Sequence, residues 1–310
     1  MNKRNRQPIR CRAAVGVDLG GTNLPAALVD ENGRILARRH CPTPGGGVAI
    51  AAAMAELVND LVALSPSPVV GIGLGTPGTL GRDGRIAGGC FNLPGWNGFP
   101  VRAALKRLTG LPLAGDNDVN VATLGEWQFG GGRGMSDLVM LTLGTGVGGG
   151  VIVNHTLLRG ASGSGAELGH LTIERGGRRC TCGGRGCVEA YLSAAGIVRT
   201  WREQGGRGAA TPKDVFARAR RGERAAQRTV ALAAAQLGFL LGNLITIFNP
   251  AGIFIGSGIA GAARQFLPAA RRAAQAQAWC ASWPAVRIAP AGPDAGLTGA
   301  AALAFQAAAR

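Results

Sequence analysis

The sequence predicts two related α/β domains with a cleft between them, and three observations carry that expectation. Residues 13–30, AAVGVDLGGTNLPAALVD, read as strand, glycine turn, strand, and residues 137–153 repeat the same pattern. Apolar strand-like runs alternate with stretches of helical periodicity, as layered α/β folds require. The chain has 310 residues, 46% of them hydrophobic, which suffices for one large or two medium cores.

The elements follow in order. After the first strand–turn–strand, Asn32-Gly33 signals a hairpin into a third strand, RILARRH. Val48 to Leu64 has helical periodicity. Val69 to Leu74 is a buried-strand run that ends in Gly75-Thr76-Pro77-Gly78. Val101 to Thr109 reads as a short amphipathic helix. Leu113-Ala114 is a brief strand that delivers Asp116-Asn117-Asp118, and a helix then runs from Val119 to Phe129. The pattern restarts with strands at 137–143 and 147–153, joined by Gly144-Thr145-Gly146 and followed by an Asn154-His155 turn. Cys180 to Cys187 is a compact loop. A mostly helical stretch follows, then a late strand at 252–255 and an Ala-rich helix at 297–309.

Composition narrows the classes. The formal charge is +16, but lysine occurs only as Lys3, Lys106 and Lys213, and the arginines are scattered. That pattern fits a coding bias as well as a polyanion surface, so no specific nucleic-acid role is expected. The start of the chain, residues 1–12, is a basic tail without an apolar signal region. Val230 to Phe248 is long and apolar enough to consider as a membrane span, yet it holds Gln236 and Asn243. A buried core helix is the better reading, and a cytoplasmic protein without a membrane partner is expected. Seven cysteines do not make a paired disulfide framework.

Three glycine turns stand at strand ends: Asp18-Leu19-Gly20-Gly21-Thr22, Gly144-Thr145-Gly146-Val147-Gly148, and Gly256-Ser257-Gly258. Glycine lets backbone N–H groups approach phosphate oxygens. Thr22 and Thr145 add hydroxyl donors, and Asp18 stands where a carboxylate could hold a water on Mg²⁺. Any one of them alone could be an ordinary hairpin. Neither a Rossmann nor a Walker motif is present.

His170, Cys180, Cys182 and Cys187 form an H-x9-C-x-C-x4-C pattern. Three thiolates and one imidazole complete a tetrahedral Zn²⁺ shell, and a closed shell is structural. A disulfide plus a free thiol, or surface thiols, are the alternatives. They suit a chain without a secretion signal less well. The other cysteines, Cys11, Cys41, Cys90 and Cys280, are isolated.

These motifs together carry a resemblance. Gly165-Ala166-Glu167-Leu168-Gly169-His170, the cysteine loop and Glu189-Ala190-Tyr191-Leu192-Ser193 resemble the ROK family of repressors, open reading frames and kinases. Gly75-Thr76-Pro77-Gly78, Asn92-Leu93-Pro94-Gly95-Trp96 and Asn117-Asp118-Val119-Asn120 add to it, and the resemblance runs from Val15 to the C-terminus. It implies an actin-like, ribonuclease-H-like fold with an active-site cleft between its domains. The expected domains are 13–117 plus 297–310, and 118–296 with the zinc loop at 170–187.

The resemblance also implies an activity: phosphorylation of a hexose, glucose first, at its 6-hydroxyl by ATP with Mg²⁺. N-acetylmannosamine, N-acetylglucosamine, mannose and fructose are the alternatives. Asp18, Gly20, Gly21, Thr22, Asn23, Gly144, Thr145, Gly146, Gly148, Gly256 and Gly258 would bind the nucleotide. On the residues alone, Asp116 or Asp118 as a mere helix N-cap is as good a reading as Asp118 as a base. By resemblance it is the general base. Gly78, Asn117, Asp118, Glu167, His170 and Glu189 would hold the sugar, with His170 serving metal and sugar through different ring nitrogens. A homodimer or homotetramer is implied.

The family's repressors carry an N-terminal helix-turn-helix, for which the short tail leaves no room. A glycosidase could use paired carboxylates but would need no phosphate turns. Three departures stand out. Asn23 replaces a frequent Lys, Pro25 falls near a strand start, and His155 occupies a turn position that invites local strain.

Overall fold

Near-continuous apolar strands, where alternation would be expected of a half-exposed sheet, mark sheets covered on both faces. The computed structural model describes residues 12–88, 90, 93–256 and 258–309. The basic tail through Cys11, Asn92 of the Asn92–Trp96 stretch and Ser257 of the third glycine turn lie outside the described residues. The chain divides into two units, residues 1–130 with 294–310, and residues 131–293.

The first unit holds β1 (Ala13–Asp18), β2 (Asn23–Asp30), β3 (Ile35–Pro42), α1 (Gly47–Ala63), β4 (Val69–Thr76), α2 (Val101–Thr109), β5 (Leu113–Asn117) and α3 (Asp118–Phe129). The C-terminal helix Ala295–Ala308 completes it. The sheet order is β3-β2-β1-β4-β5. β1 is antiparallel to β2 and parallel to β4, and β5 is parallel to β4. Val15 and Val17 of β1 join one core with Ile50, Met54 and Leu61 of α1. On the other face Ala14, Ala27 and Val29 pack against Leu297, Ala301 and Ala304 of the C-terminal helix.

The domain boundary differs from the expectation of 117/118. Helix α3 belongs to the first unit because its backbone lies directly against the C-terminal helix. A Cβ on Gly125 would stand 2.1 Å from the Ala295 carbonyl oxygen, and one on Gly299 would stand 1.8 Å from that of Val121. Glycine in both helices lets the two backbones touch, a contact that periodicity alone does not reveal.

The second unit holds β6 (Leu138–Leu143), β7 (Val147–Val153), β8 (Thr156–Leu157), α4 (Glu189–Leu192), α5 (Ala194–Glu203), α6 (Pro212–Arg220), α7 (Arg224–Phe248), β9 (Gly252–Gly256), α8 (Ala260–Ala263), α9 (Leu267–Gln275) and β10 (Ala285–Ile288). Its sheet order is β10-β9-β6-β7-β8. β6 is antiparallel to β7 and parallel to β9, and β10 is parallel to β9. This repeats the strand order and senses of the first sheet, so the faint duplication in sequence is a full duplication of topology. Val139, Leu141, Ile253 and Ile255 of the sheet pack with Leu237, Leu241 and Leu244 of α7 and with Phe266.

Helix α7 is long and apolar enough to cross a membrane, but half of its apolar window is buried within the unit. Its packing supports the core-helix reading. Pro25 pairs with His40 of β3, while the β1–β2 register ends at Val17 and Ala26. Its missing N–H therefore falls beyond the β1 pairing and costs that ladder nothing. Asn154 and His155 have φ of 47° and 58°. Both are left-handed, as a two-residue hairpin of this type demands.

Candidate active site

In an open sheet with parallel strands, ligand-binding groups gather beyond the strands' C-terminal ends. In the first unit Asp18 pairs with Gly75 across β1 and β4, and Thr76 pairs with Asn117 across β4 and β5. Three predicted site segments therefore emerge side by side from adjacent parallel strands. The first turn is held by its own backbone. Leu19 N–H donates to the Gly75 carbonyl at 2.8 Å, and Gly20 N–H donates to that of Asn23 at 3.0 Å. Thr43 adds its hydroxyl to the Gly20 carbonyl at 2.8 Å. Gly21, Thr22 and Asn23 remain exposed.

The Asp116–Asn120 segment is tightly determined. Asn117 caps α3, its Oδ1 accepting from Val119 N–H at 2.9 Å. Its Nδ2 donates to the Gly78 carbonyl at 3.3 Å, so two predicted sugar residues meet. Asp118 is therefore the first residue within the helix and not its cap, and its Oδ1 also accepts from Val119 N–H, at 2.9 Å. Beneath it, buried Asp116 accepts from Asn117 N–H at 2.8 Å and from buried Asn120 Nδ2 at 2.9 Å. Motif spacing did not assign this Asp116–Asn120 clamp a role. Its signal was a carboxylate and an amide four residues apart across a strand-to-helix junction.

The Asp18 carboxylate has no hydrogen bond or ion pair among the described residues, only the repulsion of Asp118. Burial pushes its carboxyl up to about 6, and the Asp118 charge adds to the effect. A half-buried carboxylate without a hydrogen-bond partner, repelled by a second acid, suits a divalent cation. The shift also has a stability consequence. Between pH 3.8 and about 6 the unfolded chain has released this proton and the folded chain has not. Stability therefore falls as pH rises through that window, by up to about 3 kcal/mol. In metal-free protein, Asp18→Asn should melt higher than wild type at pH 8 and close to it at pH 4. Thermal scans at both pH values check this, and a wild-type carboxyl of ordinary pKa would leave the two proteins parallel.

In the second unit the Leu143–Gly150 turn joins β6 to β7. Ile259 N–H donates to the Leu143 carbonyl at 2.9 Å, which brings the segment after Gly256 beside this turn. Gly258 lies in open space. Ala194 N–H donates to the Gly144 carbonyl at 2.8 Å, tying the turn to the start of α5. Thr145 lies on the turn itself and Gly148 on the first residues of β7. Glu189 Oε2 accepts from Val147 N–H at 3.1 Å. Gly146 permits this approach, since a Cβ there would lie 2.6 Å from that oxygen. Glu167 is exposed and its carboxylate has no partner among the described residues.

His170, Cys180, Cys182 and Cys187 converge, with their ligand atoms all within 4.8 Å of one another. Cys182 Sγ lies 3.7 Å from Cys187 Sγ, and Cys180 Sγ lies 3.7 Å from His170 Nδ1. A tetrahedron with zinc–sulfur bonds of 2.3 Å has edges of about 3.8 Å, so the donor set fits Zn²⁺ in chemistry and in spacing. Because Nδ1 faces the thiols, Nε2 is the ring nitrogen left for another partner. Burial pushes the Cys187 thiol up, while the Gly184 backbone and the Cys180 thiol hold Cys182 down. A cation is what would keep all the thiols ionised together. The remaining described cysteines, Cys41, Cys90 and Cys280, stand outside this cluster.

The duplicated mixed sheets, each opening on a glycine turn, define a two-unit α/β protein, and its relatives are sugar kinases. The ROK family pattern matches residues 14–307, and the chain belongs to that family. The glucokinase of Halalkalibacterium halodurans is 37% identical over 306 residues, 92% of each chain. An N-acetylmannosamine kinase of Escherichia coli is 36% identical over 233 residues, 74% of this chain and 77% of its own. The ROK hexokinase of Thermus thermophilus superimposes with a TM-score of 0.85 at 37% identity, covering 95% of this chain and 98% of that one. A ROK glucokinase of Streptomyces griseus, solved with glucose and AMPPNP, gives a TM-score of 0.78 at 31% identity, covering 95% and 99%.

Proposed function

We propose that this chain is an ATP-dependent glucokinase that transfers the γ-phosphoryl group to the 6-hydroxyl of glucose. The observation that carries the reading is the Asn117-Asp118 junction, where a capped helix leaves the Asp118 carboxylate close enough to repel that of Asp18. In this reading Asp118 accepts the 6-hydroxyl proton as the oxygen attacks phosphorus. The bond from the γ-phosphorus to the bridging oxygen breaks, and ADP leaves with that electron pair. Asp18 holds Mg²⁺, which supplies charge neutralisation at the phosphates when bound. The backbone N–H groups of Gly20, Gly21 and Thr22, and of Gly144 to Gly148, receive the phosphates, with Asn23 at the edge of the first turn. Gly256 and Gly258 border the adenosine.

Sugar recognition falls to Gly78, Asn117 and Asp118 of the first unit and to Glu167, His170 and Glu189 of the second. The unpartnered Glu167 carboxylate and the His170 Nε2 supply acceptors for hydroxyl groups. The thiol–imidazole cluster holds a structural Zn²⁺ that fixes the His170 tautomer. A cytoplasmic homodimer or homotetramer belongs to the same reading.

Relatedness to both glucokinases and N-acetylmannosamine kinases makes the sugar the point to test. In a coupled ADP-release assay over glucose, mannose, fructose, N-acetylglucosamine and N-acetylmannosamine, glucose should have the highest kcat/KM. A better acetylated substrate would move the assignment to a hexosamine kinase on the same machinery.

A further inference from the structure

Glu189, at the start of α4, is tethered at both oxygens. Oε2 accepts from Val147 N–H in the second glycine turn at 3.1 Å. Oε1 accepts from the Thr181 hydroxyl at 2.9 Å, and Cys180 Sγ lies 3.8 Å from the same oxygen, a longer contact that has no proton to donate once the thiol is a metal-bound thiolate. Thr181 stands between Cys180 and Cys182, within the loop that carries the metal ligands. One carboxylate thus connects that loop to the turn with no residue between them. Gly146 leaves room for it, and the Ala194–Gly144 bond fastens the turn on the other side. Thr181 is exposed, and its hydroxyl is neither one of the four clustered donors nor among the groups assigned to the sugar.

We propose that Thr181 and Glu189 form a latch that sets the geometry of the Gly144–Val147 turn, which makes Thr181 a positioning residue for nucleotide binding. The inference rests on reading this turn as a phosphate loop. A carboxylate with one oxygen held by a hydroxyl has fewer rotamers to sample, and its second oxygen stays on the Val147 N–H. Hydrogen bonds to a carboxylate are stronger than neutral ones. Losing the hydroxyl frees Glu189 to turn to water and leaves the Val147 N–H without a fixed acceptor. The phosphate turn then pays its ordering entropy on binding.

The test compares Thr181→Val and Thr181→Ser with wild type in the full, zinc-loaded chain. ATP affinity is measured by titration calorimetry without sugar, and amide exchange is followed over 143–150. Thr181→Val should weaken ATP binding about three- to tenfold. It should also speed exchange at Val147, with zinc content and melting temperature unchanged. Thr181→Ser should restore affinity and protection. Wild-type affinity with unchanged Val147 exchange in Thr181→Val would overturn the latch, as would a weakening that tracks lost zinc. If wild type itself bound no ATP, the kinase reading would fall, while Val147 exchange would still decide the latch.

Discussion

Asp118→Asn should lower kcat for glucose by about 10²- to 10⁴-fold, the range expected on losing a general base. The substitution keeps the shape of the side chain and removes only its basicity. Its amide oxygen can still accept from the Val119 N–H that Asp118 uses at 2.9 Å. Helix α3 keeps its cap, because that role belongs to Asn117. Glucose affinity measured by calorimetry should therefore stay near that of wild type, so the loss appears in kcat and not in KM. A second readout is electrostatic. Asp118 contributes to the raised carboxyl pKa of Asp18, so its neutralisation should lower that pKa. The fall in stability between pH 4 and 6 should shrink accordingly. Near-normal turnover in Asp118→Asn would remove it as the base.

Cys182→Ala should lower zinc content and melting temperature together, because metal binding to a structural site is coupled to folding. Cys182 suits the test because it is the exposed cysteine of the cluster. Truncating it opens no cavity in the core, so the loss reports the metal and not the packing. Exhaustive chelation of wild type should bring the two proteins to the same melting temperature. Metal analysis and thermal scans with and without chelator check this. Wild type that is purified free of zinc and melts the same with or without added metal would contradict it.

Much of the candidate site could be marked out from the chain alone, and the reason is local. A thiol–imidazole shell needs its ligands at short spacing, so H-x9-C-x-C-x4-C announces itself. Glycine turns at strand ends announce themselves in the same way, and so does an Asn-Asp pair at a strand-to-helix junction. The links between these motifs were not legible. The Thr181–Glu189–Val147 connection joins three segments of chain, and the hydroxyl of Thr181 has no pattern of its own. The buried clamp of Asp116 and Asn120 was not legible either, although Asn120 closes the Asn117–Asn120 motif. Its meaning depends on burial, which converts two common polar residues into a fixed pair.

The sequence by itself determined the class of fold and the family, and it picked out the Cys/His cluster and the candidate base. These are properties of residue type and short-range spacing, which the chain displays directly. Only the tertiary structure decided that α3 packs with the C-terminal helix, through backbone contact at Gly125 and Gly299. It alone gave the helix cap to Asn117, and left Asp18 without a partner and repelled by Asp118. It alone turned His170 Nδ1 toward the thiols and left Nε2 for another partner. Each is a matter of which groups meet across long stretches of chain, and packing and desolvation set those meetings.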